Sequence, residues 1–300
     1  MTIYTNTNNN LVEISEKPFK LEREIQSLFE QNLIVVMGLT LVKSEFTIRG
    51  KRIDTLAYDE QANAFIIIEY KRDKNVSVID QGFTYLSLML ENKADFIVEY
   101  NEQGRHSLKR DNVDWSQTRV AFVSPSFTDN QIQATNFKDI AIELWEVKRY
   151  DNNTISISQI KKSKAAESIK PLAQQNAELQ RVTEEIKVYT EDEHTERAGE
   201  LISELYEKFK SGVLNLADDI EIRPQKYYIA FKKNKNLVCF ELQKKKMKIS
   251  IGARIGTLDD AKGITKDVSG RGHFGTGDYE IQVDSDKDLE YIMSLVKQVL

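Results

Sequence analysis

The chain holds a single cysteine, Cys239, which excludes an intrachain disulfide and a cysteine-rich zinc site and fits a reducing compartment. Positive charge is not in excess either: 42 Lys and Arg stand against 47 Asp and Glu, a formal net charge of -5. A protein that coats nucleic acid through its overall charge is thereby excluded, and any such contact must come from a local patch. Long apolar runs are missing as well. The longest near the start, residues 33–37, is far too short to span a bilayer. The polar, Asn-rich first ten residues show neither the basic region nor the apolar core of a signal peptide. These absences predict a cytoplasmic protein with no membrane partner, and no repeat appears at any solenoid period.

What is present is ordinary for a soluble globular protein: 40% hydrophobic and 30% charged residues. Three hundred residues is long for one compact core, so two domains are expected. Residues 1–17 read as a flexible tail. After Pro18 the apolar spacing of Leu21, Ile25, Leu28, Phe29 and Leu33 predicts a helix. Segments 40–49, 52–59 and 64–72 read as strands separated by short turns, the third apolar without alternation, as in a central strand buried on both faces. Helical spacing returns over 76–92, and strands are expected at 96–100, 119–123 and 140–145. A small mixed α/β domain over residues 18–160 is the result. Residues 161–189, rich in Lys, Glu, Gln and Ala, read as a charged helical connector. An amphipathic helix around Leu201, Leu205 and Phe209 follows. Short strands at 227–231, 237–242, 247–251 and 279–283, a glycine-rich loop at 268–277 and a closing helix then make a second α+β domain over 190–300.

Chemistry concentrates at the end of the third strand, in Ile68-Glu69-Tyr70-Lys71. Side chains alternate along a strand, so Glu69 and Lys71 point the same way. One strand earlier, Asp54 shares its face with Leu56. Ionised groups leaving a buried strand are costly unless paired or bound to metal. If the two strands form a hairpin, Asp54 and Glu69 converge to hold a divalent cation, with Lys71 beside them as a point charge. Phosphodiester hydrolysis needs this equipment, because Mg²⁺ prefers oxygen ligands and retains waters that can be activated for attack. An isolated Glu-x-Lys is ordinarily a surface ion pair; Asp54 and the apolar strand are what alter the weighting here. On the first helix, Glu22 falls at the edge of the apolar stripe while Glu24 points toward solvent. Glu22 is thus the choice for a third metal-site carboxylate, or else a partner for a base such as Arg52. Gln81 and Tyr85 lie one helical turn apart on one face, where Gln81 can reach a metal ligand or a substrate phosphate, or simply face water.

The run RIDTLAYDE…AFIIIEYKRD…VIDQGFTYL resembles the core of the PD-(D/E)XK nuclease superfamily, most closely its RecB-like branch and the related mismatch-cleaving NucS endonucleases, over residues 18–100. Ile53 stands where the motif's name has proline. The resemblance implies a restriction-endonuclease-like mixed sheet flanked by helices. It implies that Asp54, Glu69 and Glu22 bind Mg²⁺ or Mn²⁺, that Lys71 assists hydrolysis, and that Gln81 and Tyr85 support the site or contact substrate. Nucleic acid, DNA ahead of RNA, is then the expected partner. A homodimer would suit double-strand cleavage by paired sites.

Between 221 and 254 ten Lys or Arg residues face only Glu221 and Glu241. With interleaved aromatics, Lys232, Lys233, Lys244, Lys245 and Lys246 make a candidate phosphate-binding patch, or a solvated lysine-rich face. In the glycine-rich loop, Arg271 and His273 could complete an anion site, although the loop fits no nucleotide fingerprint and a tight structural turn explains it equally. KYYIAFKKNKNLVCFEL and GRGHFGTGDYEIQV resemble a domain of unknown function often found behind nuclease-like domains, which implies no activity. Two alternatives to a nuclease stay open at this level. One is a nucleic-acid-binding module without turnover; the other is a ligand-sensing or interaction protein acting through the glycine-rich loop.

Overall fold

The computed structural model describes residues 2–72, 77–104, 107–163, 165–174, 176–233, 235–270 and 275–300. The chain divides into two compact units, Met1–Val188 and Tyr189–Leu300.

The first unit opens with β1 (Ile3–Thr7) and β2 (Asn10–Ile14). The expected flexible tail is therefore a hairpin for most of its length. Asn8 and Asn9, at φ 51° and 65°, supply the left-handed pair that a two-residue turn between twisted strands requires. Next come α1 (Glu22–Met37), β3 (Thr40–Ile48), β4 (Lys51–Asp59), β5 (Ala64–Tyr70), α2 (Val78–Glu91) and α3 (Lys93–Glu102). They are followed by β6 (Arg119–Ser124), α4 (Asp129–Thr135), β7 (Ile142–Arg149), β8 (Ile155–Ile160), α5 (Lys170–Ala173) and α6 (Ala177–Glu185).

Strands β3 to β8 form one mixed sheet in sequential order. The β3–β4 and β4–β5 pairs are antiparallel, β5–β6 and β6–β7 parallel, and β7–β8 antiparallel. Every residue of β5 is buried, as its unbroken apolar run predicts for a strand with helices on both faces. On one face Ile25, Phe29, Leu33 and Met37 of α1 pack on Ile66, Ile68 and Tyr70 of β5 and on Ala121, Val123 and Val147. On the other, Phe83, Leu86 and Met89 of α2 and Phe96, Ile97 and Tyr100 of α3 pack on Phe65, Ile67, Phe122 and Ile142.

Three expectations are corrected here. The strand expected at 96–100 is α3; Phe96, Ile97 and Tyr100 are buried at a spacing that suits one side of a helix. The charged helical connector expected at 161–189 does carry helices α5 and α6, but it belongs to the first unit, whose core Ile169, Val182 and Ile186 enter. Leu201 is 81% exposed, and its helix buries Ile202, Leu205, Tyr206, Phe209 and Val213 instead.

The second unit contains α7 (Glu191–Ala198), α8 (Glu200–Leu214), β9 (Glu221–Pro224), β10 (Ile229–Lys232), β11 (Asn236–Leu242) and β12 (Met247–Ile251). It closes with β13 (Lys266–Asp267), β14 (Tyr279–Val283) and α9 (Leu289–Lys297). Its antiparallel sheet runs β13-β14-β12-β11-β10-β9. Tyr206 and Phe209 of α8 and Ile292 and Leu295 of α9 pack on Phe231, Val238, Phe240 and Ile249. The architecture is the mixed α/β sheet flanked by helices, with a smaller α+β unit, that the sequence predicts. Among the described residues no helix is long and apolar enough to cross a membrane.

Candidate active site

The strands β4 and β5 pair regularly from Asp59↔Ala64 to Thr55↔Ile68, and the ladder stops there. Beyond that point side chains replace it. The Asp54 N–H donates to Glu69 Oε1 at 3.2 Å, and the Tyr70 N–H donates to Asp54 Oδ2 at 3.0 Å. Two carboxylates thus interlock with each other's strand at the end of a buried sheet. Lys71 Nζ donates to Glu69 Oε2 at 3.1 Å, as the alternation along β5 requires. From α2, Gln81 Nε2 donates to Glu69 Oε2 at 3.0 Å and to Tyr85 Oη at 3.2 Å, and Tyr85 Oη donates to the Arg52 carbonyl at 3.1 Å. The one-turn spacing of Gln81 and Tyr85 lets one side chain hold Glu69 and the other hold the start of β4.

Glu69 is 2% exposed. Burial raises its pKa first, the Asp54 charge raises it further, and Lys71 opposes both. Burial likewise raises Asp54, against the Tyr70 N–H and the Lys71 charge. Two acids forced together with one lysine form a site that gains from a further positive charge. The acceptor Gln81 Oε1 is also buried beside Glu69 without a hydrogen-bond partner among the described residues. Mg²⁺ binds through one or two carboxylates and keeps several waters, so Asp54, Glu69 and an orphan acceptor for a water's hydrogen fit such a cation.

Glu22 does not join the pair. Its carboxylate accepts the N–H of Arg72 at 3.0 Å, the residue after Lys71, and the side chain is exposed. Glu24, expected to face water, is half-buried and pairs with Arg149 at 3.1 Å. The reversal follows from α1 beginning at Glu22, so that this residue reaches across the helix start rather than into the sheet. Arg52 pairs with Glu45, not with Glu22. Among the described residues no group of three or more His, Cys, Asp or Glu stands close enough to hold a metal. The three-carboxylate set expected from the sequence is a pair with an outlying acid.

Sequence reasoning missed Gln26. It is 7% exposed, and its Nε2 donates to the Asp54 carbonyl at 2.9 Å. An amide between Ile25 and Phe29, in the middle of an apolar stripe, was the signal that could have found it.

The lysines of the second unit do not form one patch. Lys232 and Lys233 lie at the β10–β11 turn, and Lys244, Lys245 and Lys246 at the β11–β12 turn. These turns sit at opposite ends of the seven-residue β11, roughly 23 Å apart at about 3.4 Å per residue. Lys233 pairs with Asp219, and Lys246 donates to Gln282. Arg271 and His273 lie outside the described residues.

Residues 191–298 match the family model of a domain of unknown function, DUF5655, in agreement with the resemblance seen in that part of the sequence. Over its whole length the chain is 53% identical to an uncharacterized protein of Haemophilus influenzae (strain ATCC 51907 / DSM 11121 / KW20 / Rd), covering 99% of it. Similar solved structures include EndoMS in complex with double-stranded DNA (16% identity, 43% of this chain and 58% of that one, TM-score 0.26). EndoMS in apo form (17%, 45% and 59%, 0.27) and a repair endonuclease from Pyrococcus abyssi (20%, 39% and 43%, 0.22) are others. At TM-scores of 0.22–0.27 these likenesses carry no weight for function, which has to be argued from the site.

Proposed function

We propose that this chain, which belongs to the same family as the uncharacterized Haemophilus influenzae protein, hydrolyses phosphodiester bonds of nucleic acid, DNA ahead of RNA, with Mg²⁺ or Mn²⁺ as cofactor. The observation that carries this reading is the interlocked pair of carboxylates, buried Glu69 and half-buried Asp54, with Lys71 bonded to Glu69. Structural salt bridges neutralise charge; this arrangement concentrates two negative charges on one lysine at a strand end, an expensive device unless a cation completes it. A divalent cation held there supplies an activated water and neutralises charge on a phosphate.

The protein's own groups do the rest. Asp54 and Glu69 would hold the cation, fixed by the N–H of Tyr70 and by Gln81. Lys71 would orient the attacking water or stabilise charge developing on the phosphate. Tyr85 keeps Gln81 aimed at Glu69 and anchors the start of β4. Glu22 would act from the rim through the segment after Lys71. Because the net charge is -5, substrate affinity must come from local cation clusters, and the two lysine-bearing turns of the second unit are the candidates for it.

The test is a cleavage assay on labelled single- and double-stranded DNA and RNA with Mg²⁺ or Mn²⁺, with EDTA and Glu69→Ala as controls. Metal-dependent cutting, lost in both controls, is the expected result. Cutting that persists in Glu69→Ala, or none on any substrate, counts against the reading.

A further inference from the structure

At Asp54 the backbone of β4 leaves the ladder on both sides. Toward β5 the register ends at Thr55↔Ile68. Toward β3 it passes from Ser44↔Thr55 to Phe46↔Ile53, stepping over Glu45 and Asp54. Glu45 sits there at φ 55°, a left-handed conformation uncommon for a residue with a side chain. A strand residue in the middle of a sheet must still satisfy its N–H and C=O. Asp54 sends its N–H to the Glu69 carboxylate, and its C=O accepts from Gln26 Nε2 at 2.9 Å.

Gln26 is itself held. The same Nε2 lies 3.1 Å from Glu30 Oε1 and 3.3 Å from Ser44 Oγ, and Glu30 Oε1 also accepts the Thr55 hydroxyl. Gln26 and Glu30, one turn apart on α1, therefore grip consecutive residues of β4 from the face opposite α2. The carboxylate of Asp54 meets the Tyr70 N–H of β5, and its carbonyl is tied from α1.

We infer that Gln26 is a positioning residue: by replacing the missing ladder bond at Asp54 it sets the backbone from which that carboxylate meets the Tyr70 N–H and Glu69. The consequence for catalysis rests on the proposed function; the positioning itself does not. Without the amide donor, the half-buried Asp54 carbonyl loses that partner, and the segment relaxes to find another. Asp54 Oδ2 then leaves the Tyr70 N–H. Packing alone would predict no such effect, since methionine fills nearly the same volume as glutamine.

The test is residue-resolved amide hydrogen exchange on the full chain without metal, comparing wild type, Gln26→Met, Asp54→Ala and Ser44→Ala. In Gln26→Met the Tyr70 amide should exchange at least about ten-fold faster, the loss of one bond to a charged acceptor. Asp54→Ala should match it, while Ile66 and Ile67 within β5 keep wild-type protection. Ser44→Ala, which spares the bond to Asp54, should leave Tyr70 protected. Gln26→Ala, which cannot overpack, serves if Gln26→Met unfolds. Unchanged protection of Tyr70 in the Gln26 variant overturns the inference, as does a uniform loss across β5. A parallel Mn²⁺ titration should show affinity about 10–100-fold weaker in Gln26→Met, the usual effect of losing a partner behind a metal ligand. If Tyr70 responds but wild type neither binds Mn²⁺ nor cuts nucleic acid, positioning stands and the nuclease reading fails.

Discussion

Replacing Asp54 by asparagine should stabilise the metal-free protein at neutral pH while abolishing its response to divalent cations. Asn keeps an oxygen to accept the Tyr70 N–H and removes one of two like charges. Unit charges about 4–6 Å apart at an effective dielectric of about 20 repel by roughly 3–4 kcal/mol. Lys71 already offsets part of this for both acids, so a net gain of about 1–2 kcal/mol is expected. In a unit the size of Met1–Val188 that amounts to a rise in Tm of about 2–8 °C.

The pH dependence has a definite sign. Burial raises the folded-state pKa of both carboxyls, so the fold favours their protonated forms. Their favourable contribution is complete below the unfolded-state values, about 4, and is lost as pH rises through the folded ones. The advantage of Asp54→Asn should therefore be largest near pH 8 and vanish near pH 4. In wild type, Mg²⁺ or Mn²⁺ should restore the lost stability, by about 2.7 kcal/mol at a hundred times the dissociation constant. The assay is a thermal melt of both proteins at the two pH values, with and without cation. A variant less stable than wild type at pH 8, or one that still gains Tm from Mg²⁺, would refute the reasoning.

Lys71→Met should cut turnover by about 10²–10³-fold, the cost of losing one charge-stabilising donor, while Mn²⁺ still binds; equal loss of both would assign Lys71 to shaping the site. Replacing Lys244, Lys245 and Lys246 by alanine should flatten the salt dependence of DNA binding independently of a Lys232/Lys233 double replacement, each phosphate contact being worth a slope of about 0.9. Additive effects are expected from turns this far apart, and strong coupling between the two sets would place them on one surface after all. Gly277→Ala should lower the Tm of the second unit, because Gly277 has φ 69° and a Cβ there would lie 2.0 Å from the Ile251 carbonyl oxygen. A cost of roughly 2–4 kcal/mol is expected for a strained, clashing backbone site; an unchanged melt would contradict it.

The elements that could be read in advance are those whose periodicity is set by a single dominant face. The run Phe65–Ile68 forced a central strand, and Ile25, Phe29 and Leu33 forced a helix over it. Residues 96–100 mislead because Phe, Ile, Val and Tyr favour strands locally. Helical order wins there since Phe96 and Tyr100, one turn apart, both reach the core that α2 begins. The stretch after 161 reads as a charged helical connector because Lys, Glu, Gln and Ala dominate it. Ile169, Val182 and Ile186 are nevertheless enough to bring it into the core of the first unit, with α6 against α2.

The site divides along the same line. Asp54, Glu69 and Lys71 converge through the two-residue period of strands, and Gln81 and Tyr85 through the four-residue period of a helix, so each is visible within one or two elements. Gln26 depends on a third fact, the left-handed Glu45 opposite Asp54, and a residue pair 28 apart in sequence with no shared period leaves no such mark. The lysine run fails for the converse reason. Residues close in sequence part in space whenever a strand lies between them, and β11 sends its two basic turns to opposite ends of the sheet. A charge count along the chain therefore reports the number of cations available to a phosphate backbone, while the strand between them limits how many can act on the same stretch of it.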